Sequence, residues 1–510
     1  MSVHLAIARA AQQSGHVAAV RGYGFERNWA ETGDRVARLA SGLLSAGLSR
    51  GDRLALLAGN SAEHMELTYA AIWAGIIVVP INTRLSTPEM CQILGDCQAR
   101  GIAFDNLHSG AGQAVAAELG LPVVMGLDQV EASVKFDELL TREARPPVDA
   151  GGKDLLGLYY TGGTTGRPKG VELSHAAFEL TAMDQAYALE CTGRSAYLHA
   201  APYFHLADCS VGNSITYVQG THVFSDDTSS AGILDAIRNL GVNFLSIVPT
   251  MYQDLIQLAA GDPILEQIEN AVYGAAPISE GLLKQVLAAF PNARFKQCYG
   301  QTEVAGACVV LPPEAHVPGG SKLATAGKPT LSAHVRIVDA DGHEAPRGVA
   351  GEIMVAGDRV MNGYWGQPEK TAETVVDGWL HTGDVGVMDE DGYVAVVDRL
   401  KDMIVTGGEN VFCAEVENTL SVHPDVAAVS VVGVPDDRWG EAVHAFVVVA
   451  EGRVPEPADL IAHTKAQIAG YKCPKGISFI TELPLSGVGK VRKDALRAQW
   501  ISMNKDSSDV

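Results

Sequence analysis

The sequence predicts an α/β fold with a large N-terminal domain of doubly wound sheets, a β-barrel-like subdomain and a small α+β C-terminal domain. Three observations carry this prediction. The chain has 510 residues, too many for one compact core. As far as about Ser332, short runs of valine, isoleucine and leucine alternate with amphipathic helical stretches, which is typical of parallel sheets covered by helices. Beyond that residue, Gly/Asp turns separate successive strands.

In the first part of the chain, predicted strands alternate with predicted helices. The strands are Arg53–Ala58, Ile76–Ile81, Leu155–Tyr160, Asn243–Val248, Asn270–Tyr273 and Arg294–Gln297. The helices are Ser61–Ala74, Thr250–Ala260 and Ser279–Phe290. In such doubly wound sheets, ligands are expected at the carboxyl ends of the strands.

The later part of the chain is predicted to form the two smaller elements of the fold. The barrel-like strands are His334–Asp339, Gly351–Gly357 and Tyr393–Arg399. The α+β segment has strands at Val426–Val434 and Ala442–Val449 and a helix at Pro457–Ala469. The predicted domains are therefore residues 1–400 and 401–510.

Composition narrows the class of protein. The net charge of −22 disfavours a nucleic-acid partner, since a phosphate backbone would be repelled. The longest apolar stretch, Leu67–Ile81, is short for a membrane span and is broken by Gly75 and Pro80, so a buried helix followed by a buried strand is expected. Eight scattered cysteines without a CxxC pair, and the lack of a signal peptide at Met1–Ala11, favour a cytoplasmic protein.

A glycine-rich loop gives the strongest chemical signal. The sequence TGGTTGRPKG, Thr161–Gly170, follows an apolar strand and supplies four glycines, three hydroxyls and one lysine. Glycines let backbone N–H groups converge on an anion, hydroxyls donate further hydrogen bonds, and Lys169 adds positive charge. The pattern differs from a Walker loop because Lys169 follows Pro168 and is not followed by serine or threonine. The loop predicts a polyphosphate site.

This loop resembles the phosphate-binding signature of the adenylate-forming (ANL) superfamily, which includes acyl-CoA synthetases, peptide-synthetase adenylation domains and beetle luciferases. Gly162 stands where the family usually has serine, which removes one hydroxyl donor. Further motifs follow in the family's order: GAAP at Gly274–Pro277, YGQTE at Tyr299–Glu303, WLHTGD at Trp379–Asp384, DRLKD at Asp398–Asp402, and PLSGVGK at Pro484–Lys490. The resemblance covers nearly the whole chain and implies an AMP-forming acid–thiol ligase of the acyl-CoA synthetase branch, a fatty-acid- or aryl-CoA ligase.

The resemblance also implies roles for individual residues. Catalytic roles would fall to Lys490, Glu303, Thr164, Lys169 and His205, with Glu303 also holding Mg²⁺. Contacts to ATP or AMP would come from Thr161, Gly162, Gly163, Thr164, Thr165, Gly166, Lys169, Gly274, Ala275, Ala276, Tyr299, Gly300, Thr302, Asp384 and Arg399. A single carboxylate suffices for Mg²⁺, which usually takes one or two carboxylates plus substrate phosphates.

The acid and the thiol are less closely defined. The acyl pocket would be lined by Tyr203, His205, Gly300 and Val304. Because no acidic residue obviously waits for an amino group, with Asp208 the nearest candidate, an amino acid is disfavoured, while fatty, aryl, alicyclic and terpenoid acids stay open. The expected CoA contacts are Arg84, Gly407, Gly408, Trp439 and Lys475. Cys473 stands where some relatives have arginine.

The implied reaction has two halves: ATP and the acid give acyl-AMP and pyrophosphate, and then CoA displaces AMP. Family members rotate the C-terminal domain between the halves, with Lys401 at the hinge position. Alternatives are an acyl-AMP ligase that loads a carrier protein, a luciferase-like oxygenase and a non-catalytic nucleotide-binding relative. Pro484–Lys490 also fits the PxxxxGK pattern that protein acetyltransferases modify in related synthetases. The sequence leaves the oligomeric state open, with a homodimer as one alternative.

Overall fold

The computed structural model describes residues 2–127, 130–161, 168–274, 278, 280–399, 402–406, 409–436, 439–485 and 491–505, with the backbone alone for residues 399, 409, 410, 504 and 505. Two compact units are present. Unit 1 is Met1–Val335, Met354–His381 and Asp391–Val394, and unit 2 is Arg336–Ile353, Thr382–Glu390 and Ala395–Val510. The domain boundary expected between residues 400 and 401 falls outside the described residues and stays a prediction.

As far as residue 329, the chain forms strands and helices in close alternation. The strands are β1 (Ala18–Gly22), β2 (Phe25–Asn28), β3 (Arg53–Leu57), β4 (Ile77–Pro80), β5 (Gly101–Phe104), β6 (Val123–Gly126), β7 (Val134–Lys135), β8 (Leu155–Thr161), β9 (Lys169–Ser174), β10 (Ala196–Leu198), β11 (Thr221–Val223), β12 (Phe244–Ser246), β13 (Asn270–Gly274), β14 (Arg294–Gln301), β15 (Gly306–Leu311) and β16 (Lys328–Pro329). The helices are α1 (Val3–Gln13), α2 (Trp29–Ser45), α3 (Ala62–Trp73), α4 (Thr87–Asp96), α5 (Ser109–Leu119), α6 (Phe136–Leu140), α7 (His175–Ala188), α8 (Leu206–Val218), α9 (Ser230–Leu240), α10 (Pro249–Ala259) and α11 (Glu280–Ala289).

The later part of the chain is richer in strands. These strands are β17 (His334–Val338), β18 (Ala350–Ala356), β19 (Gly363–Tyr364), β20 (Val375–Val376), β21 (Trp379–Met388), β22 (Val394–Arg399), β23 (Ile404–Thr406), β24 (Glu409–Val411), β25 (Val426–Asp436), β26 (Gly440–Val449) and β27 (Gly476–Ile480). The helices are α12 (Pro368–Thr374), α13 (Cys413–Ser421), α14 (Pro457–Lys465) and α15 (Lys493–Lys505).

Two large sheets form the framework of unit 1. One has nine strands in the order β16-β15-β14-β13-β12-β10-β11-β1-β2, and the other has eight in the order β19-β9-β8-β4-β3-β5-β6-β7. Neighbours from β14 to β1 and from β8 to β7 run parallel, whereas the flanking pairs β8–β9 and β14–β15 run antiparallel. The predicted α/β fold is confirmed. β8 ends at Thr161, the first residue of the glycine-rich loop, and β14 contains the start of the YGQTE motif. Both strands lie where parallel pairing gives way to antiparallel pairing.

The core of unit 1 explains why these segments form helices and strands. Buried residues of β10, β12 and β13 pack against the apolar faces of α9, α10 and α11. A second cluster joins β3, β4 and β5 to α4 and α5. The stretch Leu67–Ile81 is a buried helix end followed by buried β4, as expected, and Gly75 makes the turn with φ +75°. Within the described residues, no helix combines the length and apolar composition needed to cross a membrane.

Two smaller sheets follow. The first has the order β17-β18-β21-β20 with β22 beside β21. The second, wholly in unit 2, has the order β24-β23-β26-β25 with β27 beside β26. One face of this second sheet packs against α13 and α14, and its other face packs against Leu496 and Trp500 of α15. The predicted α+β segment is thereby confirmed, although α14 ends at Lys465 rather than at Ala469.

Candidate active site

The glycine-rich loop is carried by a β-hairpin. The antiparallel ladder of β8 and β9 runs from Leu155↔Ser174 to Thr161↔Lys169, so these last two residues face each other where the loop leaves the sheet. The other predicted loop residues, Gly162, Gly163, Thr164, Thr165 and Gly166, lie outside the described residues. The hairpin thus places Thr161 and Lys169 opposite each other, and their role in binding phosphate stays a prediction.

The YGQTE motif forms a tight turn between β14 and β15. Tyr299 pairs with Val309, and the ladder then shifts register at Gly300. A single 3-10 turn, Thr302–Val304, follows and presents the partly exposed Glu303 side chain. The next residue, Ala305, has a φ of +61° and reverses the chain into β15. The turn therefore orients the glutamate that the sequence assigns to Mg²⁺.

A tyrosine that the sequence analysis missed joins these two motifs. The hydroxyl of Tyr364 donates to Glu303 Oε1 at 2.9 Å, and Lys169 Nζ lies 5.1 Å from the centroid of the same ring. Burial and the neighbouring carboxylate raise the pKa of Tyr364, which keeps the hydroxyl protonated and able to donate. Tyr364 stands 61 residues after Glu303 in the chain, so no local pattern in the sequence indicated the contact.

The donor set at this point fits a magnesium ion. Glu303 offers carboxylate oxygens, which Mg²⁺ prefers, and one of them, Oε1, is already oriented by the Tyr364 hydroxyl. Mg²⁺ completes its shell with water and substrate phosphate oxygens, so one protein carboxylate is chemically sufficient. Lys169 provides positive charge beside the ring of the same tyrosine. Together these groups suit a metal-bound polyphosphate.

A buried ion pair contacts the backbone of the turn that contains Glu303. Arg359 is fully buried, and it bonds to Asp184 at 3.0 Å and to the backbone oxygen of Val304 at 3.2 Å. Asp184 also accepts hydrogen bonds from Thr330 and Ser332. Because burying an unpaired charge is costly, this network fixes the backbone beside Glu303.

The motif Gly274–Pro277, predicted to contact ATP or AMP, begins at the last residue of β13. Gly274 ends this strand opposite Cys298 of β14, and a Cβ at Gly274 would lie 3.0 Å from the Cys298 oxygen. The two strands therefore approach closely at this position. Ala275 and Ala276, which the sequence also assigns to nucleotide binding, lie outside the described residues.

The predicted acyl-pocket residues occupy different environments. His205 is exposed and caps α8 by accepting from the Ala207 N–H at 3.1 Å. Tyr203 is buried and its ring packs edge-on against His64 and His199. Val304 is fully buried, whereas Gly300 is exposed. Their common role in an acyl pocket stays a prediction.

Asp208 is buried and already paired. Its carboxylate is fully buried and accepts from Tyr197 at 2.8 Å and pairs with His199 at 2.5 Å. His199 in turn bonds to His222 at 2.9 Å. An acid engaged in this way stabilises the start of α8 and is not available to a substrate ammonium group. This arrangement favours a substrate without an amino group at that position.

The WLHTGD motif, whose Asp384 is predicted to bind the ribose of the nucleotide, lies on β21. The Thr382 hydroxyl donates to the Ile353 oxygen at 2.6 Å, and the Gly383 N–H donates to Glu352 at 3.0 Å. Asp384 is buried, and its N–H donates to the Thr382 hydroxyl at 3.1 Å. The carboxylate therefore sits on a fixed backbone. Arg399 ends β22, and its side chain lies outside the described residues.

Trp439, one of the predicted CoA contacts, lies beside one end of the unit 2 sheet. Thr406 pairs both with Glu409 of β24 and with Gly440 of β26. Trp439, next to Gly440, is 40% exposed. Gly407 and Gly408 themselves lie outside the described residues.

The other predicted CoA residues lie elsewhere. Lys475 is exposed just before β27, and Arg84 is exposed in the loop that follows β4 of unit 1. Cys473, which stands in place of an arginine, is 1% exposed, and its Sγ lies 3.5 Å from the Ala469 oxygen. Its thiol is therefore buried against the backbone instead of being offered to a ligand.

The described residues on either side of the predicted adenylation lysine are hydrogen-bonded to each other. Leu485 and Val491 form a β-bridge, and the Arg492 N–H donates to the Pro484 oxygen at 2.8 Å. Lys490 and the hinge residue Lys401 lie outside the described residues. Asp402, next to the hinge position, pairs with Arg497 of α15 at 2.9 Å.

Comparison with known proteins gives a consistent result. Residues 7–365 match the AMP-binding enzyme family, and residues 415–490 match the C-terminal domain of AMP-binding enzymes. A feruloyl-CoA synthase from Amycolatopsis sp is 39% identical over 497 residues, which cover 96% of this chain and 98% of that protein. The fatty acid–acyl-carrier-protein ligase ScoC from Streptomyces coeruleorubidus is 38% identical over 470 residues, 91% of this chain and 89% of ScoC. The crystal structure of ATP-bound MatB from Rhodopseudomonas palustris gives a TM-score of 0.87 at 30% identity, covering 98% of this chain and 99% of MatB.

Proposed function

The chain belongs to the AMP-binding enzyme family, and we propose that it joins a carboxylic acid to coenzyme A in two ATP-dependent steps through acyl-AMP. The observation that carries this proposal is the convergence of Lys169 and Glu303 on Tyr364. A cation and a metal-binding carboxylate held on one aromatic side chain are the groups that a departing pyrophosphate requires.

In the first step, a carboxylate oxygen attacks the α-phosphorus of ATP and pyrophosphate leaves. The protein does little covalent chemistry here; it positions the reactants and offsets the developing negative charge. Lys169 and the amides and hydroxyls of the glycine-rich loop bind the leaving phosphates, and Asp384 and Arg399 hold the ribose. Glu303 would hold Mg²⁺, and the bound ion would supply further positive charge to the phosphate oxygens. Lys490 bridges the carboxylate and the phosphoryl oxygens.

In the second step, the CoA thiol attacks the carbonyl carbon of acyl-AMP and expels AMP. We assign the CoA nucleotide to Arg84, Trp439 and Lys475, because cationic and aromatic groups suit a 3′-phosphate and an adenine. The glycines at 407 and 408 admit the pantetheine chain, and Lys401 is the hinge on which the C-terminal domain rotates between the steps. Lys401→Pro should then impair thioester formation far more than adenylation; equal loss of both activities would refute the hinge.

Two relatives favour different acceptors for the acyl group. The feruloyl-CoA synthase supports CoA, whereas ScoC, named for loading an acyl-carrier protein, supports the second candidate, an acyl-AMP ligase that serves a carrier protein. AMP release should be measured with CoA and, separately, with a phosphopantetheinyl carrier protein. Faster release with CoA is expected. Release with the carrier protein alone would establish the second candidate.

The acid is proposed to be an aryl acid or a fatty acid. The relatives named for ferulate and for fatty acids support these two classes, and the commitment of Asp208 to His199 weighs against amino acids. A panel containing ferulate, fatty acids of medium and long chain, an alicyclic acid and an amino acid should be tested for CoA-dependent pyrophosphate release. Turnover confined to amino acids would contradict the proposal.

Three further properties are proposed. The eight cysteines are free thiols, which supports a reducing compartment such as the cytoplasm. Acetylation of Lys490 would remove its charge and silence the first step, and mass spectrometry of the isolated protein can find the modification. A homodimer is proposed for the oligomeric state, and light scattering would decide it.

A further inference from the structure

We propose that Tyr364 is a positioning residue that orients the Glu303 carboxylate for Mg²⁺ and keeps it apart from Lys169. The inference rests on the proposed function, because it takes Mg-ATP as the ligand. It concerns three side chains of unit 1 that come from separate parts of the sequence.

The first part of the argument is the hydrogen bond. Tyr364 is 7% exposed, and its hydroxyl donates to Glu303 Oε1 at 2.9 Å. One oxygen of the carboxylate is thereby fixed, and the second is left to a metal ion. Groups that hydrogen-bond a metal ligand in this way set the ligand's orientation, and losing them typically weakens metal binding about 10- to 100-fold.

The second part is the contact with Lys169. Its Nζ lies 5.1 Å from the centroid of the Tyr364 ring, within the range of a cation–π interaction. In the part of the chain that the structure describes, no ion pair joins Lys169 to Glu303. The tyrosine thus contacts the ammonium group through its ring and the carboxylate through its hydroxyl. Both charges stay available to phosphate and metal instead of neutralising each other.

The third part is how Tyr364 itself is held. The short strand β19 pairs with β9, with Tyr364 opposite Val171, and β9 is the strand that begins at Lys169. The Tyr364 N–H donates to the Thr371 hydroxyl at 2.9 Å. Three residues earlier, the Met361 N–H donates to the backbone oxygen of Glu303 at 2.9 Å. One segment, residues 361–364, is therefore hydrogen-bonded both to the strand that leaves the glycine-rich loop and to the metal-binding glutamate.

The test is binding of an ATP analogue with a methylene group between the α- and β-phosphorus atoms, measured by calorimetry across a MgCl₂ titration. No acid or CoA is added, so the measurement does not depend on turnover. Tyr364→Phe keeps the ring and removes the hydroxyl. We expect it to raise the Mg²⁺ concentration for half-maximal binding about 10-fold and to leave binding in EDTA unchanged.

Tyr393→Phe is the matched control. Its ring lies 4.8 Å from Lys322 Nζ and 4.7 Å from Lys328 Nζ, so it is also a tyrosine that contacts lysines. This variant should bind the analogue with the Mg²⁺ requirement of the wild type. An unchanged Mg²⁺ requirement in Tyr364→Phe would overturn the positioning role. A wild-type protein that binds the analogue without regard to Mg²⁺ would instead refute the proposed function.

A double-mutant cycle separates positioning from a general effect on folding. If the hydroxyl acts only through the carboxylate, Tyr364→Phe should change the Mg²⁺ titration of the wild type and should add nothing in a Glu303→Gln background. Equal effects in both backgrounds would contradict the proposal. Thermal unfolding of all four proteins, measured in parallel, shows whether each variant is folded at the titration temperature.

Discussion

Gly300 and Gly306 approach so closely that a Cβ atom on Gly300 would lie 2.0 Å from the Gly306 backbone oxygen. The two residues flank the turn that presents Glu303, and the β14–β15 ladder changes register at this point. Glycine is therefore required at position 300 by the backbone opposite it. Backbone packing alone therefore explains why the second residue of the YGQTE motif, Gly300, is a glycine.

Gly300→Ala should destabilise unit 1 and displace the Glu303 turn. We expect a loss of about 3 kcal/mol in the free energy of unfolding, because the clash is with backbone and cannot be relieved by a rotamer change. Gly110→Ala is the control, since a Cβ at that exposed helical position meets nothing within 4 Å. Equal stability of the two variants would show that the turn can open without cost.

Asp384→Asn should weaken ATP binding. A hydrogen bond to a charged acceptor contributes about 1.5–3 kcal/mol, so the KM for ATP should rise about 10- to 100-fold when the ribose loses the carboxylate. The backbone of Asp384 is held by the Thr382 hydroxyl, and that contact is unaffected by the change. Asp377→Asn, on an exposed turn with a φ of +51°, is the control and should leave the KM unchanged. If Asp384→Asn leaves the KM for ATP unchanged, Asp384 does not bind the ribose.

Lys490→Ala should separate the two half-reactions. Adenylation should fall at least about 100-fold, since removing one group that stabilises transition-state charge has an effect of this size. Thioester formation from supplied acyl-AMP should be spared. Lys284→Ala removes an exposed lysine that pairs with Glu280, and it should affect neither step. Equal loss of both steps in Lys490→Ala would contradict the assigned role.

Two buried histidines should make unit 1 sensitive to acid. Burial lowers the pKa of His4 and of His175 to about 4, and both imidazoles bond to the Ser2 hydroxyl. Between about pH 6.5 and pH 4 the unfolded chain binds protons that the folded chain excludes, so stability falls as pH falls through this window. Relative to pH 7, each imidazole should contribute about 2 kcal/mol of lost stability at pH 5.

His175→Gln should lessen this acid sensitivity, because the glutamine cannot take up a proton. The measurement is the midpoint of thermal unfolding at pH 7 and at pH 5. His343→Gln is the control, because the His343 side chain is 81% exposed. Its midpoint of thermal unfolding should fall between pH 7 and pH 5 by as much as that of the wild type. If the midpoint of His175→Gln falls by as much as that of the wild type, the acid sensitivity arises from other groups.

Much of the fold could be predicted because periodic burial leaves a clear pattern. The segment Arg53–Ala58 is β3 to within one residue, and Ser61–Ala74 is α3 with Ser61 as its cap. The predicted strand Asn243–Val248 is shorter, Phe244–Ser246, because Pro249 begins α10 and Val248 takes the cap position. Element boundaries of this kind depend on which local signal prevails.

The long-range part of the site could not be predicted from local pattern. Tyr364 reaches Glu303 across 61 residues, and nothing near either residue indicates the contact. Arg359, in a segment rich in turn residues, would be expected in solvent, yet it is fully buried and holds the Val304 oxygen. Asp208 resembles an available acid in the sequence and is instead paired with His199. Such pairings are set by tertiary packing alone.

The central claim is that the chain forms acyl-AMP, and acid-dependent exchange of labelled pyrophosphate into ATP tests it most directly. The assay contains ATP, Mg²⁺ and the acid that the panel selects, and CoA is omitted. We predict exchange that requires both the acid and Mg²⁺ and that is lost in Lys490→Ala. Pyrophosphate exchange that ignores the acid, or turnover that releases ADP and phosphate instead of AMP, would contradict the proposed function.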